Sequence, residues 1–266
     1  MNMKTNNRYK ILVLLDLKSN SDTIIKTTAN LAKMIGGDID ILHVKKPVDI
    51  VKNDNQLSSV RSINRDYISS KNHIEDVVKS IDKGLNVSYG LTYGNVKQEI
   101  EEHIKNTNPN IIVLGKKRFN ALKLTGDKLT KFILKKYSGV VFMASNKNVL
   151  EYDENLSLGI LNNFEQPTED LAKRLIDLTQ KPVKAFKIQK SADGLGQSNN
   201  DLTSKKTVEY VFESNDNAVG NLSHYMAKSN VDLLCVSRNM VESKKSGILN
   251  LNDLIKKVDV SLLLTA

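Results

Sequence analysis

Two tandem α/β domains, each an open parallel sheet of five strands, are what this 266-residue sequence predicts. Three observations predict them. Short apolar runs bounded by turn residues alternate with stretches whose apolar residues recur at spacings of three and four. The alternation stops at a polar, charged segment, Ser145 to Glu154, and then restarts. The second run also overlays the first as an internal repeat. Adding 122 to the residue number carries Asn95–Gly115 onto Asn217–Ser237 without a gap. Asn108 falls on Asn230, Ile100 on Leu222, and Ile111–Leu114 on Leu233–Val236. Adding 121 carries Gly126 onto Gly247 and Lys135-Lys136 onto Lys256-Lys257. The chain suits two domains of about 120 to 150 residues. We divide it into a first domain 1–146, a linker 147–154 and a second domain 155–266.

Each element has its own warrant. Tyr9 to Asp16 is an apolar run ending in an acid, a buried strand. Asp22 or Ser21 can cap a helix whose inner face carries Ile24, Ile25, Thr28, Leu31, Ala32 and Ile35, and Gly36-Gly37 ends it. Asp38 to Val44 is the second strand, and Pro47 to Ser59 a polar loop. A helix over Asn64 to Lys83 turns Ile74, Val77, Val78 and Ile81 inward; Gly84 stops it. Leu85 to Leu91 is the third strand and Thr92–Gly94 a turn. Asn95 with Gln98 three residues on has the pattern of a capping box for a helix lined by Val96, Ile100 and Ile104. Asn110 to Leu114 is the fourth strand. A long loop leads to Gly126-Asp127, a helix to Tyr137 and a fifth strand to Ala144. Strands and helices in strict alternation imply a parallel sheet covered on both faces.

The second half repeats the order: strand Leu156–Leu161, a helix capped by Thr168 with Leu171, Ala172, Leu175, Ile176 and Leu178, then strand Pro182–Ile188. Strand Thr207–Phe212, a helix from Asn217, strand Val231–Val236, a helix after Gly247 and strand Ser261–Thr265 follow. One piece differs. Lys190–Lys206 stands where the first half has its second crossover helix, and its Ser191–Asn200 stretch has almost nothing to bury. It reads as a mobile loop, so the second domain lacks one crossover helix. One sheet face is then left for the partner domain to cover, or open as a groove.

Composition narrows the function. The net charge is +9. It comes from lysines scattered along helix faces, with few arginines, no Trp and no aromatic residues interleaved with basic ones, which argues against nucleic acid. No apolar run approaches the ~20 residues of a membrane span. The polar stretch Met1–Lys10 has no apolar signal core, so the expected location is the cytoplasm. The single cysteine, Cys235, lies in an apolar run and reads as a buried strand residue. His43, His73, His103 and His224 show no metal-ligand spacing, and no metal is predicted. His103 and His224 read as solvated helix residues, whereas His43 sits at the mouth of the sheet, within reach of a ligand. There is neither a nucleophile elbow nor a P-loop, and no side chains assemble into nucleophile, base and orienter. The sequence therefore predicts no enzyme.

One stretch carries a candidate site. Leu114-Gly115 ends a strand before a loop that feeds the helix starting at Gly126-Asp127, a common phosphate position in open α/β sheets. Taken with Ile11–Asp16, Leu42-His43-Val44, Gly94–Val96 with Ile100, and Asn108–Gly115, this stretch resembles the universal stress protein family, and both halves are similar to its domains in tandem. The resemblance implies a fold like that of the adenine nucleotide alpha hydrolases. It also implies pairing through the last strand, making the chain a pseudo-dimer within itself; a further homodimer is compatible with that. ATP-binding members of that family carry Gly-x-x-Gly, nine residues, then Gly-Ser or Gly-Thr. By matching positions Asp16 would contact the nucleoside, Val44 would pack on the base, and Leu114, Gly115, Arg118, Gly126 and Asp127 would form the loop.

The loop departs from the family. Arg118 occupies the second glycine position, the spacing to Gly126 is two residues short, and Asp127 stands in place of the hydroxyl. A missing glycine hinders close backbone approach to a phosphate. A carboxylate repels it, and Asp127 as a helix cap occupies the amides a phosphate would use. Lys116, Lys117, Arg118, Lys123 and Lys128 could offset one acid. In the second half Asn162 replaces the acid, Ser237 the glycine and Ile248 the hydroxyl residue, leaving Gly247. The expectation is a non-catalytic stress-response binding protein without a cofactor, acting on an unidentified small ligand or protein partner. The alternative is ATP or another adenine nucleotide in the N-terminal domain, with Lys116, Arg118 and Asp16 contributing and at most slow hydrolysis.

Overall fold

The computed structural model describes residues 8–17, 20–46, 56–116, 128–161, 169–189, 206–215, 217–238 and 249–265. The first half runs β1 Tyr9–Leu14, α1 Ser21–Ile35, β2 Gly37–Lys45, α2 Gln56–Lys79, β3 Val87–Tyr93, α3 Val96–Thr107, β4 Ile111–Gly115, α4 Lys128–Lys136 and β5 Val140–Ala144. The second half runs β6 Leu158–Leu161, α5 Glu169–Leu178, β7 Val183–Gln189, β8 Thr207–Glu213, α6 Ala218–Lys228, β9 Leu233–Ser237, α7 Leu251–Lys257 and β10 Ser261–Thr265.

The two predicted sheets of five are present, but they are not separate. They join into one ten-stranded sheet in the order β3-β2-β1-β4-β5-β10-β9-β6-β7-β8. Every pairing is parallel except the seam, where β10 meets β5 antiparallel with Leu263 opposite Phe142. Read outward from the seam, the two halves repeat one strand order. The repeat extends to single hydrogen bonds. The Asn110 side chain accepts from Lys10 N at 2.8 Å, and that of its counterpart Asp232 accepts from Ser157 N at 2.8 Å. Asn108 and Asn230 both take left-handed backbone, with φ 46° and 47°, a conformation asparagine tolerates better than most residues.

Alternation along the strands sends successive side chains to opposite faces. On one face Ile11, Val13, Ile41, Val113, Phe142 and Leu263 pack with residues of α1, α2 and α5. On the other Leu12, Leu42, Ile112, Val141, Met143 and Leu262 pack with residues of α3, α4, α6 and α7. Both cores run across the seam, so neither belongs to one half. The connecting segment is packed rather than free: Leu150 is buried and its N–H bonds Thr27 Oγ1.

Several boundaries differ from the sequence reading. Asn20, not Ser21 or Asp22, precedes α1, and it makes no side-chain cap bond; Ser21 lies inside the helix and is buried. Helix α2 begins at Gln56, well before Asn64, within what the sequence presents as loop. Strand β3 takes in Thr92 and Tyr93. Leu178, expected inward, is 36% exposed at the end of α5. The expected loop and missing helix at Lys190–Lys206 lie, but for Lys206, outside the described residues, as does the Thr168 cap. Among the described residues no helix is long and apolar enough to cross a membrane.

Candidate functional site

Strand order places the first-half crevice. The sequence order of the strands reverses between β1 and β4, and ligands of open α/β sheets enter beyond the carboxyl ends at such a reversal. Leu14 is level with Leu42 on β2 and with Leu114 on β4. β1 ends there; Gly115 lies one residue beyond Leu114, Val44 two beyond Leu42, and Asp16 two beyond Leu14, after Leu15, whose N–H donates to the Leu42 carbonyl at 3.0 Å. Four of the sequence-predicted residues thus meet at one mouth: Asp16, exposed; Val44, half-buried; Leu114, buried; and Gly115, half-buried. The other three, Arg118, Gly126 and Asp127, lie outside the described residues, as do Lys117, Lys123 and, in the second half, Asn162, Gly247 and Ile248.

The mouth is shaped by residues the motif does not include. Gly115 has ordinary negative φ; what it spares is space, because a Cβ there would stand 2.3 Å from Ile24 Cδ1. The start of α1 therefore rests on the end of β4. Asn20 lies beside the same point and donates to Asn146 Oδ1 at 2.9 Å, tying the loop after β1 to the chain leaving β5. Asn20 was legible only as one polar residue near a helix start.

His43 lies on β2 between Leu42 and Val44. It is 4% exposed, and its Nδ1 lies 2.7 Å from the Leu15 carbonyl. A carbonyl only accepts, so Nδ1 carries the proton and Nε2 of the neutral ring is an acceptor. Nε2 is buried without a hydrogen-bond partner among the described residues. Burial lowers the His43 pKa, which the Leu15 hydrogen bond partly opposes. Next along β2, Lys45 Nζ bonds Asp66 Oδ1 at 2.6 Å and Ser70 Oγ at 2.9 Å. Tyr93 donates to the other Asp66 oxygen at 2.9 Å, and the phenol is raised by burial and by that carboxylate.

Lys116 overturns its expected part. Its side chain does not face the mouth. It is 6% exposed, and Nζ donates to the carbonyls of Val258 at 2.7 Å and Val260 at 2.6 Å, beyond the end of α7 in the other half. Burial pushes the ammonium down, to about 7, while Asp259 pulls it up. Its counterpart in the repeat is Arg238, also 6% exposed. Arg238 crosses in the opposite direction, donating to the carbonyls of Tyr137 at 2.9 Å and Gly139 at 2.6 Å, and to Leu134 at 3.1 Å. Tyr137 and Gly139 are the repeat positions of Val258 and Val260. Each half thus satisfies the orphan carbonyls at the end of the other half's last helix.

Two further side chains depart from expectation or meet it. His103 is not a solvated helix residue: its Nε2 pairs with Asp40 Oδ2 at 2.6 Å, and Ser88 donates to the other Asp40 oxygen. Cys235 is buried as expected, and burial pushes its thiol up to about 12. No group of three or more His, Cys, Asp or Glu able to hold a metal occurs among the described residues.

A family model described as the universal stress protein family matches residues 8–136. A universal stress protein from Archaeoglobus fulgidus superposes with a TM-score of 0.73 at 12% identity, over 96% of this chain and 95% of that one. A functionally unknown protein from Pseudomonas aeruginosa superposes with a TM-score of 0.58 at 10% identity, over 97% and 92%. At such identities the likeness is one of fold. No curated protein matches the sequence.

Proposed function

We propose, from the match of residues 8–136 to the universal stress protein family, that the chain is a tandem, non-catalytic, cytoplasmic stress-response binding protein of that family whose nucleotide loops have degenerated. We take residues 1–146 and 155–266 as its two domains and 147–154 as the linker, and an unidentified small ligand or protein as its partner. One observation carries the reading. Lys116, the first residue of the loop after β4, spends its charge on the Val258 and Val260 carbonyls instead of on the mouth. Lys45, on the mouth's other side, is held by Asp66 and Ser70. The sequence of the loop adds Arg118 and Asp127 where the family's ATP-binding members carry a glycine and a hydroxyl.

A second reading, an adenine nucleotide in the N-terminal domain, draws on a different observation. Val44 lies on β2 and Asp16 just beyond β1, and the buried Nε2 of His43 has no hydrogen-bond partner among the described residues. Thermal-shift titration with ATP, ADP, AMP and cyclic di-AMP separates the two. The first reading expects no change in melting temperature at sub-millimolar ligand. A rise of several degrees with any of the four, as linkage requires of a ligand well above its Kd, overturns it in favour of the second.

A further inference from the structure

Helix α2 has two unlike halves. From Ser70 onward it buries Ser70, Ile74 and Val77 against the sheet. From Ser58 to Ser69 no residue is buried. That stretch nevertheless carries Val60, 56% exposed, Tyr67, 42%, and Ile68, 58%. The spacing i, i+7, i+8 sets the three along one side of the helix, the pattern of an amphipathic helix that lies in a groove. Arg61 and Arg65 flank them, exposed and without an ion pair among the described residues. Asn64 stands between Val60 and Ile68 on that side, and Tyr67 also lies 6.4 Å from the Tyr93 ring, centroid to centroid; three exposed apolar residues on one side of a helix still exceed the single ones that need no account.

A complementary surface lies elsewhere on the same chain. Where the ends of α1 and α5 meet the connecting segment there is an open groove of about 680 Å³. Met34, Tyr152 and Leu178 supply its apolar lining, and Asp153, Glu154 and Asp177 its charge. Tyr152 is 59% and Leu178 36% exposed. The helix offers apolar residues flanked by arginines; the groove offers apolar residues flanked by carboxylates. Ile74, Val77 and the Lys45–Asp66 pair hold α2 to its own half.

We propose that the first turns of α2, from Val60 to Ile68, dock into the Tyr152–Leu178 groove of a second copy of this chain. The contact joins two different patches, so it is heterologous, and it is independent of whether the mouth binds a ligand. Charge complementarity gives it a salt dependence, because exposed pairs are screened beyond a Debye length of about 10 Å at 0.1 M salt.

The test is sedimentation velocity on the full chain. The wild type is expected to exceed its 29.7 kDa monomer mass as concentration rises, and to revert at high salt. R61E/R65E and D153K/E154K are each expected to weaken association at least about tenfold. Mixed together, the two variants are expected to recover it, since the acidic helix of one now meets the basic groove of the other. All four positions are exposed, and the reversals give up only the surface bonds from Asn155 to Asp153 and from Gln180 to Glu154, so melting temperatures should stay near the wild-type value; if one variant melts early, V60S/I68S replaces it. A wild type that stays monomeric at about 0.5 mM chain overturns the proposal. So does association that survives both reversals, or a mixture that fails to recover it.

Discussion

Lys116 and Arg238 hold the same place in the repeat and use it in the same way, yet only one of them titrates near neutral pH. The unfolded chain binds the Lys116 proton with a pKa of 10.5, the folded chain with one of about 7. The unfolded state therefore holds more protons between those values, and stability rises with pH across that window. Urea denaturation at a series of pH values should show this rise, with a slope of at most about 1.4 kcal/mol per pH unit. Lys116→Met should remove it. Arg238 stays charged throughout, so Arg238→Met should cost about 3 kcal/mol at every pH by orphaning buried carbonyls. His43 acts at the acid end. Its folded pKa lies below 6.5, so the unfolded state binds the proton better and stability falls as pH drops through 6.5. His43→Leu should flatten that acid limb at a cost of about 1 kcal/mol for the Leu15 carbonyl. None of these roles was legible in the sequence. A lysine after a strand-ending glycine looks like a phosphate ligand, because sequence gives the residue's place on its own strand but not the helix end that approaches from 142 residues away.

Elements were the most legible scale, because periodicity and caps act over a few residues. Asn95 was readable as a cap, and its side chain accepts from the Lys97 and Gln98 amides. Its repeat partner Asn217 makes no such bond; its side chain meets Asn221 instead. Asn95→Ala should therefore lower stability by about 1 kcal/mol, and Asn217→Ala by less than about 0.5 kcal/mol, with the same denaturation measurement comparing them. Where the reading slipped, the reason is physical. From Ser58 to Ser69 α2 has no buried residue, so the pattern that marks a packed helix is missing from that stretch. Leu178 fits the helical spacing of α5, but the helix ends there, at the groove beside Tyr152. Near the candidate site, pattern alone put Val44, Leu114 and Gly115 on strands and Asp16 just past one, whereas Asn20, Asn146 and the Lys45–Asp66 pair needed three dimensions.

At the scale of the molecule, two predicted sheets proved to be one. The seam is apolar on both sides: Val141, Phe142 and Met143 face Leu262, Leu263 and Leu264, all of them fully or almost fully buried. A fragment ending at residue 146 would bare that edge, and unpaired apolar edges seek another strand. Light scattering should show the fragment as a dimer paired through β5, each copy's Lys116 now facing the Tyr137 and Gly139 carbonyls of the other; a stable monomer would contradict this. The same seam sets a schedule for synthesis. Ser145, just after β5, is bonded by Ser261 at the head of β10, 116 residues later. At the pace of a ribosome, that leaves β5 without its mate for roughly ten seconds in every chain made. Nascent chains on neighbouring ribosomes carry the same bare edge, so the first partner β5 meets is another unfinished copy. Chains made slowly one at a time should therefore reach the native sheet more often than chains made in a crowd.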